Sequence, residues 1–296
     1  MAKIAREEIA LRIVHKIRKN DSGIGGRKLW LMYCDEIKQN YIGRDAFEKL
    51  IARNGLKIRK SHRSIRTTDS SHGLPVYPNL IRAFIPSAPN QLWVSDITYI
   101  ELWPDDENYQ FCYLSLILDA YTEEIVGWCV GNTLETKYPL AALRMALKRI
   151  KGLPNIILIH HSDRGCQYAS REYTECLRKY GIRISMTESG DPKENAQAER
   201  INNTIKNELF KDRKFRNIHE VTAALEKAIY FYNNKRPHMS INMLTPAKAA
   251  ELNGEIKMKW KSYRRQAIKD KANVCEIPGK GLPLPISHEE GSIQAH

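Results

Sequence analysis

Apolar positions recur at helical spacing near the start of the chain, where Ile9, Ile13, Val14 and Ile17 form one stripe over residues 5–19. Asp21-Ser22-Gly23 interrupts it, and further helices are expected over 27–38 and 44–53, the last stopped by Asn54-Gly55. Residues 67–90 carry paired Thr and Ser, Gly73 and prolines at 75, 78, 86 and 89, the composition of a linker. The pattern then changes to strands. Residues 91–101 alternate and are rich in β-formers, 104–108 form a polar turn, and 110–118 are almost wholly apolar, as in a central strand covered on both faces. A third strand over 125–130 completes an antiparallel meander. Helices over 138–150 and 170–180 then alternate with strands over 155–160 and 182–186, and helices over 196–211 and 219–233 follow. The order β-β-β-α-β-α-β-α-α predicts an α/β fold in which three antiparallel strands feed parallel ones.

Charge divides the chain in a way the hydrophobic pattern does not. The net charge is +13, but residues 1–70 hold 17 Lys and Arg against 8 Asp and Glu, and residues 255–274 hold 7 against 2. The rest of the chain is close to neutral. Two basic segments flanking a neutral body suit nucleic acid, whose phosphates attract such patches and release counterions on contact. Lys57, Arg59, Lys60, Arg63 and Arg66 follow the three short helices, giving them the look of a small all-helical DNA-binding unit. The six Cys contain no Cys-x-x-Cys pair, no apolar run reaches eighteen residues, and the N-terminus lacks an apolar leader. These features argue against a zinc site, a membrane span and secretion, and point to a reducing cytoplasm.

Three acids stand at informative places: Asp96 within the first strand, Asp163 just past the strand 155–160, and Glu199 in the first turns of the helix 196–211. If the first and fourth strands are neighbours, that helix can lay its first turns across their ends. Two like charges 4 Å apart repel by about 4 kcal/mol at an effective dielectric of 20, so such a cluster calls for a cation. A hard divalent ion with oxygen ligands is the natural filler. Asp119 ends the second strand and is a rival acid, better read as closing the following turn. His160 and His161 lack partners at zinc-site spacing and read as strand-end structural groups or DNA contacts. Tyr168 and Trp93 read as core. Asn195, Glu199, Asn202, Asn203 and Lys206 share one helix face, a polar row suited to DNA. Arg164 suits a phosphate or an acid.

These residues also resemble a known family. Trp93-x-x-Asp96-Ile97-Thr98-Tyr99, His161-Ser162-Asp163-Arg164-Gly165-x-Gln167-Tyr168 and Asn195-Ala196-x-x-Glu199 are similar to the catalytic motifs of retroviral-integrase-like DDE transposases. The 35 residues between Asp163 and Glu199 match that group. Tyr232-Asn233-x-x-Arg236-Pro237-His238 with Thr245-Pro246 resembles the end of the core in the B-frame product of the IS-three insertion-sequence family, and Gly23-x-Gly25-x-Arg27 resembles its helical segment.

The resemblance implies an RNase H-like core, a mixed five-stranded sheet flanked by helices, and two Mg²⁺ or Mn²⁺ ions. Asp96 would touch both ions, with Asp163 and Glu199 holding one each. It implies exposure of a 3′-hydroxyl at the element end and strand transfer into double-stranded DNA, with Lys206 beside the metals. A synaptic complex then needs a homo-oligomer, at least a dimer, and an upstream A-frame protein or a frameshifted fusion is a further expected partner. The expected division is a helical DNA-binding domain at 1–66 with Lys60, Arg63 and Arg66, a linker at 67–90, a catalytic domain at 91–254 and a basic, partly disordered extension at 255–296. A non-catalytic DNA-binding descendant and a structure-specific nuclease are the alternatives.

Overall fold

The computed structural model describes residues 3–39, 41–58, 73–153, 156–189 and 192–275. Residues up to Lys261 form one compact unit, and those from Ser262 onward form a second. The first unit opens with helices α1 (Lys3–Arg18), α2 (Gly26–Ile37) and α3 (Arg44–Arg53). A sheet follows: β1 (Leu92–Leu102), β2 (Gln110–Asp119), β3 (Ile125–Gly131), β4 (Ile159–Ser162) and β5 (Arg183–Met186). Its order is β3-β2-β1-β4-β5, with β1 antiparallel to β2 and parallel to β4. This is the mixed sheet expected of an RNase H-like core, and it makes the first and fourth strands neighbours.

Alternation along β1 and β2 builds two apolar layers. Leu92, Val94, Ile100, Leu114, Leu116 and Leu118 pack in one cluster with α7 (Ala196–Thr204), α8 (Ile218–Asn234) and helices α1–α3. Trp93 and Ile117 pack on the other face against α4 (Lys137–Ile150) and α6 (Arg171–Lys179). At Gly127 the helix α4 crosses β3 so closely that a Cβ would stand 2.2 Å from the Ala142 carbonyl oxygen. The N-terminal helices thus share a core with the sheet, because their own stripes (Val14, Leu29, Phe47) are too short to bury one another completely. The part of the expected linker that is described is also anchored. Leu80 N–H donates to Ser185 Oγ at 2.9 Å, and Asn90 N–H donates to Asp119 at 2.6 Å.

Three elements differ from the sequence expectation. The strand expected over 155–160 is seen at Ile159–Ser162, because β1 begins at Leu92, the partner of Ile159. The helix expected over 170–180 is preceded by a separate turn, α5 (Cys166–Ala169), and Ser170 caps α6 by accepting from Tyr173 N–H. The helix expected over 196–211 is α-helical only to Thr204 and continues as a π-helical turn, Ile205–Leu209. The wider turn keeps both Ile205 and Leu209 in the core while its backbone meets the N-terminal segment. Gly23 N–H donates to the Glu208 carbonyl at 3.0 Å, and a Cβ on Gly23 would lie 2.4 Å from Glu208 Cα.

The second unit contributes α9 (Tyr263–Cys275). Lys60, Arg63, Arg66 and residues 276–296 lie outside the described residues. Among the described residues no helix is long and apolar enough to cross a membrane.

Arg236 joins these parts from within. Its guanidinium is buried, with Nε donating to Asp21 at 3.1 Å and Nη2 to Glu208. Removing one partner of a buried pair costs about 3–5 kcal/mol, whereas an exposed pair contributes about 0–1 kcal/mol. Arg236→Ala is therefore expected to lower stability far more than Arg216→Ala, which breaks the exposed pair with Asp106. Urea unfolding of both variants checks this, and equal losses would contradict it.

Candidate active site

The pairing of β1 with β4 brings two acids near one another. The last parallel pair between β1 and β4 is Val94 with His161. Two residues further along each strand stand Asp96 and Asp163, where β4 has ended and the edge of β1 lies open. Asp163 then turns the chain, its Oδ1 accepting from Gly165 N–H at 3.0 Å.

The third acid, Glu199, lies in the first turn of α7, and polar contacts fix that helix over the sheet. Asn195 Nδ2 donates to the Ser95 carbonyl at 2.9 Å, and Asn202 Nδ2 donates to Asp96 Oδ2 at 2.8 Å. Gln197 Nε2 donates to the Ala120 carbonyl at 3.0 Å. The preceding loop is closed by Glu194, whose carboxylate accepts from Glu188 and Ser189 N–H at 2.7 and 2.9 Å.

The electrostatics report the proximity of the three acids. Loss of solvent and the charge of Asp163 push the Asp96 carboxyl up to about 7, and Glu199 acts in the same direction. Hydrogen bonds from Asn202 and from Ile97 N–H pull the other way without cancelling the rise. Acceptors are in excess here, because among the described residues the buried Oδ1 atoms of Asn195 and Asn202 meet no donor. Among the described residues no three His, Cys, Asp or Glu side chains are placed to hold one ion together.

The polar row expected to face DNA divides in the structure. Asn195 and Asn202 are only 6% and 5% exposed, and their amides are spent on Ser95 and Asp96, so they face the protein rather than a ligand strand. Asn203 is exposed. Lys206 lies on the π-helical turn with Nζ 3.5 Å from the Tyr99 ring centroid, and burial lowers its ammonium pKa. Arg164 Nε donates to the Thr187 carbonyl at 2.6 Å. The sequence marked Asn195 and Asn202 as sharing a face with Glu199. It missed that the face is turned toward β1, and the flanking apolar Ala198 and Ile201 were the signal that this helix is mostly covered.

The remaining candidates are structural. His160 Nε2 lies 2.7 Å from Ser95 Oγ and 2.9 Å from Tyr173 Oη, and burial brings its pKa down to about 3, so the ring is neutral. His161 sits between Ser185 Oγ at 2.8 Å and the Glu194 carbonyl at 3.1 Å. Asp119 closes its turn, accepting from Tyr121 and Thr122 N–H at 2.9 and 3.0 Å. Trp93 and Tyr168 are buried in the core.

The chain matches the family described as Integrase core domain over residues 86–192, and a second family of the same description over 180–246. It is 34% identical over 253 residues to the insertion element IS600 uncharacterized 31 kDa protein of Shigella sonnei, spanning 83% of this chain and 87% of that one. The transposase for insertion sequence element IS629 of Shigella sonnei is 33% identical over 233 residues, 78% of this chain and 75% of the relative. Among solved structures, the HTLV-2 integrase catalytic core domain in complex with magnesium aligns at a TM-score of 0.42 with 20% identity, over 56% of this chain and 99% of that one. Relatives matched over most of both chains, together with the two Integrase core domain matches, make this chain a member of the DDE transposases of insertion sequences, with an integrase-like core.

Proposed function

We propose that this transposase cleaves the ends of its element to free a 3′-hydroxyl and joins that hydroxyl to target DNA at Asp96, Asp163 and Glu199. The observation that carries the reading is the convergence of the three acids: β1 and β4 run in parallel toward Asp96 and Asp163, Asn202 of the Glu199 helix bonds Asp96, and burial together with the charges of Asp163 and Glu199 raises the Asp96 carboxyl. Carboxylate oxygens crowded in this way, with orphaned amide oxygens beside them, fit a hard divalent ion and its waters. Asp96 would be shared between two Mg²⁺ or Mn²⁺ ions, Asp163 would hold one and Glu199 the other, so that each needs only two protein carboxylates. Bound there, two such ions activate the attacking oxygen and stabilise the leaving oxygen of an in-line displacement at phosphorus. Asn202 orients Asp96, and Asn195 and Gln197 tie the start of α7, which carries Glu199, to β1 and to the turn after β2.

Double-stranded DNA is the proposed partner, gripped by the basic segment 1–66, which includes Lys60, Arg63 and Arg66, by Asn203, Lys206 and Arg164 beside the acids, and by the basic residues of 255–274. Residues 67–90 link the first segment to a catalytic domain at 91–254. Pairing two element ends requires at least a dimer of a cytoplasmic enzyme, and an A-frame product or fusion completes end recognition.

Asp163→Asn and Glu199→Gln are expected to reduce Mg²⁺-dependent cleavage and joining of an end-carrying duplex about 10³-fold, the several kcal/mol that metal ions contribute, with binding of that duplex retained. Joined products from either variant at the parent rate would refute the reading, and hydrolysis without joining would indicate a nuclease instead. Asp96 bears a proton below about pH 7, so ion binding at pH 6 should release close to one proton and binding at pH 8.5 should release few, by calorimetry in two buffers. The folded chain keeps a proton that the unfolded chain loses above about pH 4, so the ion-free fold weakens as pH rises toward 7. Asp96→Asn should therefore raise the thermal midpoint at pH 8 and leave it unchanged at pH 3.5. Asn202→Ala removes a hydrogen bond that lowers the Asp96 pKa. It is expected to weaken Mn²⁺ binding about 10–100-fold and move the activity profile to higher pH, and an unmoved profile would exclude this positioning role.

A further inference from the structure

The motif Tyr232-Asn233-x-x-Arg236-Pro237-His238 lies outside the carboxylate site, and two of its members have clear structural work. Asn233 clamps the start of β3 by accepting from Ile125 N–H and donating to the Ile125 carbonyl, both at 3.0 Å. Arg236 forms the buried pairs with Asp21 and Glu208. His238 holds the following turn through its backbone, and its ring bonds the Tyr232 backbone, which accounts for only one edge of the imidazole. It is buried, its ring meets that of Tyr232 edge-on at 4.4 Å, and its Nε2 has no partner among the described residues.

That ring borders a cavity of about 290 Å³ between α2, α7, α8 and the segment after it. At ~30 Å³ per water this is room for about ten waters, or for a tetrahedral anion with part of what carries it. Arg200, Ile201 and Thr204 supply the wall from α7, on the flank away from Glu199 and Asn202. The charged lining separates into satisfied and unsatisfied groups. Arg236 and Glu208 pair with each other, and Glu123 accepts from Gln197 Nε2 at 3.4 Å. Lys28 and Arg200 enter no ion pair among the described residues. Lys28 is held in a largely desolvated place with Arg236 nearby, which brings its ammonium down to about 8, against the favourable charges of Glu208, Asp21 and Glu123. Arg200 stands over the Trp260 ring at 5.8 Å, and both are exposed at the mouth. The Thr204 and Ser240 hydroxyls complete the lining.

A desolvated lysine and an arginine form a pair of donors lacking an acceptor, and charge-assisted bonds to a phosphate would satisfy both; the neighbouring His238 ring, held neutral by burial and by the charges of Arg236 and Lys28, would take up a proton more readily once such an anion offset those charges. Glu123 and the Arg236-paired Glu208 are the lining carboxylates that such an anion would meet unfavourably. We propose that this cavity is a phosphate-binding site and that its occupant is a backbone phosphate of the bound DNA. The DNA source is favoured over a free anion for two reasons. Lys28 comes from the basic helical segment, and an arginine beside an open aromatic face is a combination used by grooves that track nucleic-acid strands. The proposal rests on the DNA-transferring function argued above. It adds a contact on the opposite flank of α7, within about one helix diameter, ~10 Å, of the acids.

The test follows His238 by imidazole ¹⁵N NMR in the full chain, its resonance assigned with His238→Asn. Inorganic phosphate, and separately a duplex carrying the element end, should each shift the signal saturably toward the protonated form. Both responses should vanish in Lys28→Gln/Arg200→Gln, and Lys28→Arg should restore them when paired with native Arg200. Near-UV circular dichroism matching the parent shows that the variants are folded. No response to either probe would overturn the site and leave a water-filled cavity. A response to phosphate but not to the duplex would overturn the DNA assignment. Failure of the catalytic reading appears elsewhere, as cleavage retained by Asp163→Asn, so the two outcomes are separable.

Discussion

Three carboxylates that repel one another must be held together by everything around them, and most of the polar contacts near α7 answer that need. Like charges brought near one another out of water oppose folding. Here the penalty is met in part by keeping Asp96 protonated near neutral pH, and in part by rigid attachment. The sheet brings Asp163 near Asp96, while Asn195, Gln197 and Asn202 fasten α7 to β1 and to the turn after β2. Such sites trade stability for a function that needs crowded charge.

A second constraint runs through the far end of the same helix. The π-helical turn after α7 presents the Glu208 carbonyl to Gly23 and the Glu208 side chain to Arg236, which also holds Asp21. The N-terminal helices are therefore bonded to the helix that carries Glu199, as well as packed against the sheet. Any movement of α1 and α2 would be transmitted to α7 through a buried charged joint. Packed elements of this kind shift between discrete arrangements rather than bending smoothly.

Much of the fold was legible in the sequence because periodicity is a local property. The helical stripe at Ile9, Ile13, Val14 and Ile17, the alternation over 91–101 and the apolar run over 110–118 each record one element's burial, and each element is present. The boundaries moved where a partner decided them. β4 starts where β1 offers a neighbour, and α7 changes to a π-helical turn where the N-terminal segment docks. The asparagines show the same limit within the site. Asn195 and Asn202 lie on the Glu199 face as their spacing requires, but spacing alone does not say whether that face meets solvent or strand.

The sequence by itself determined the alternation of elements, the three acids with their motifs, and the basic flanks, because residue type and spacing along the chain specify them. Tertiary structure decided that Asp163 comes near Asp96, that Asn202 holds Asp96, that Arg236 joins three distant segments, and that Lys28, Arg200 and His238 share a cavity. Each of these depends on which strands pair and on which helix face is covered. Those outcomes arise from packing among residues as much as 215 positions apart, and no local pattern encodes them.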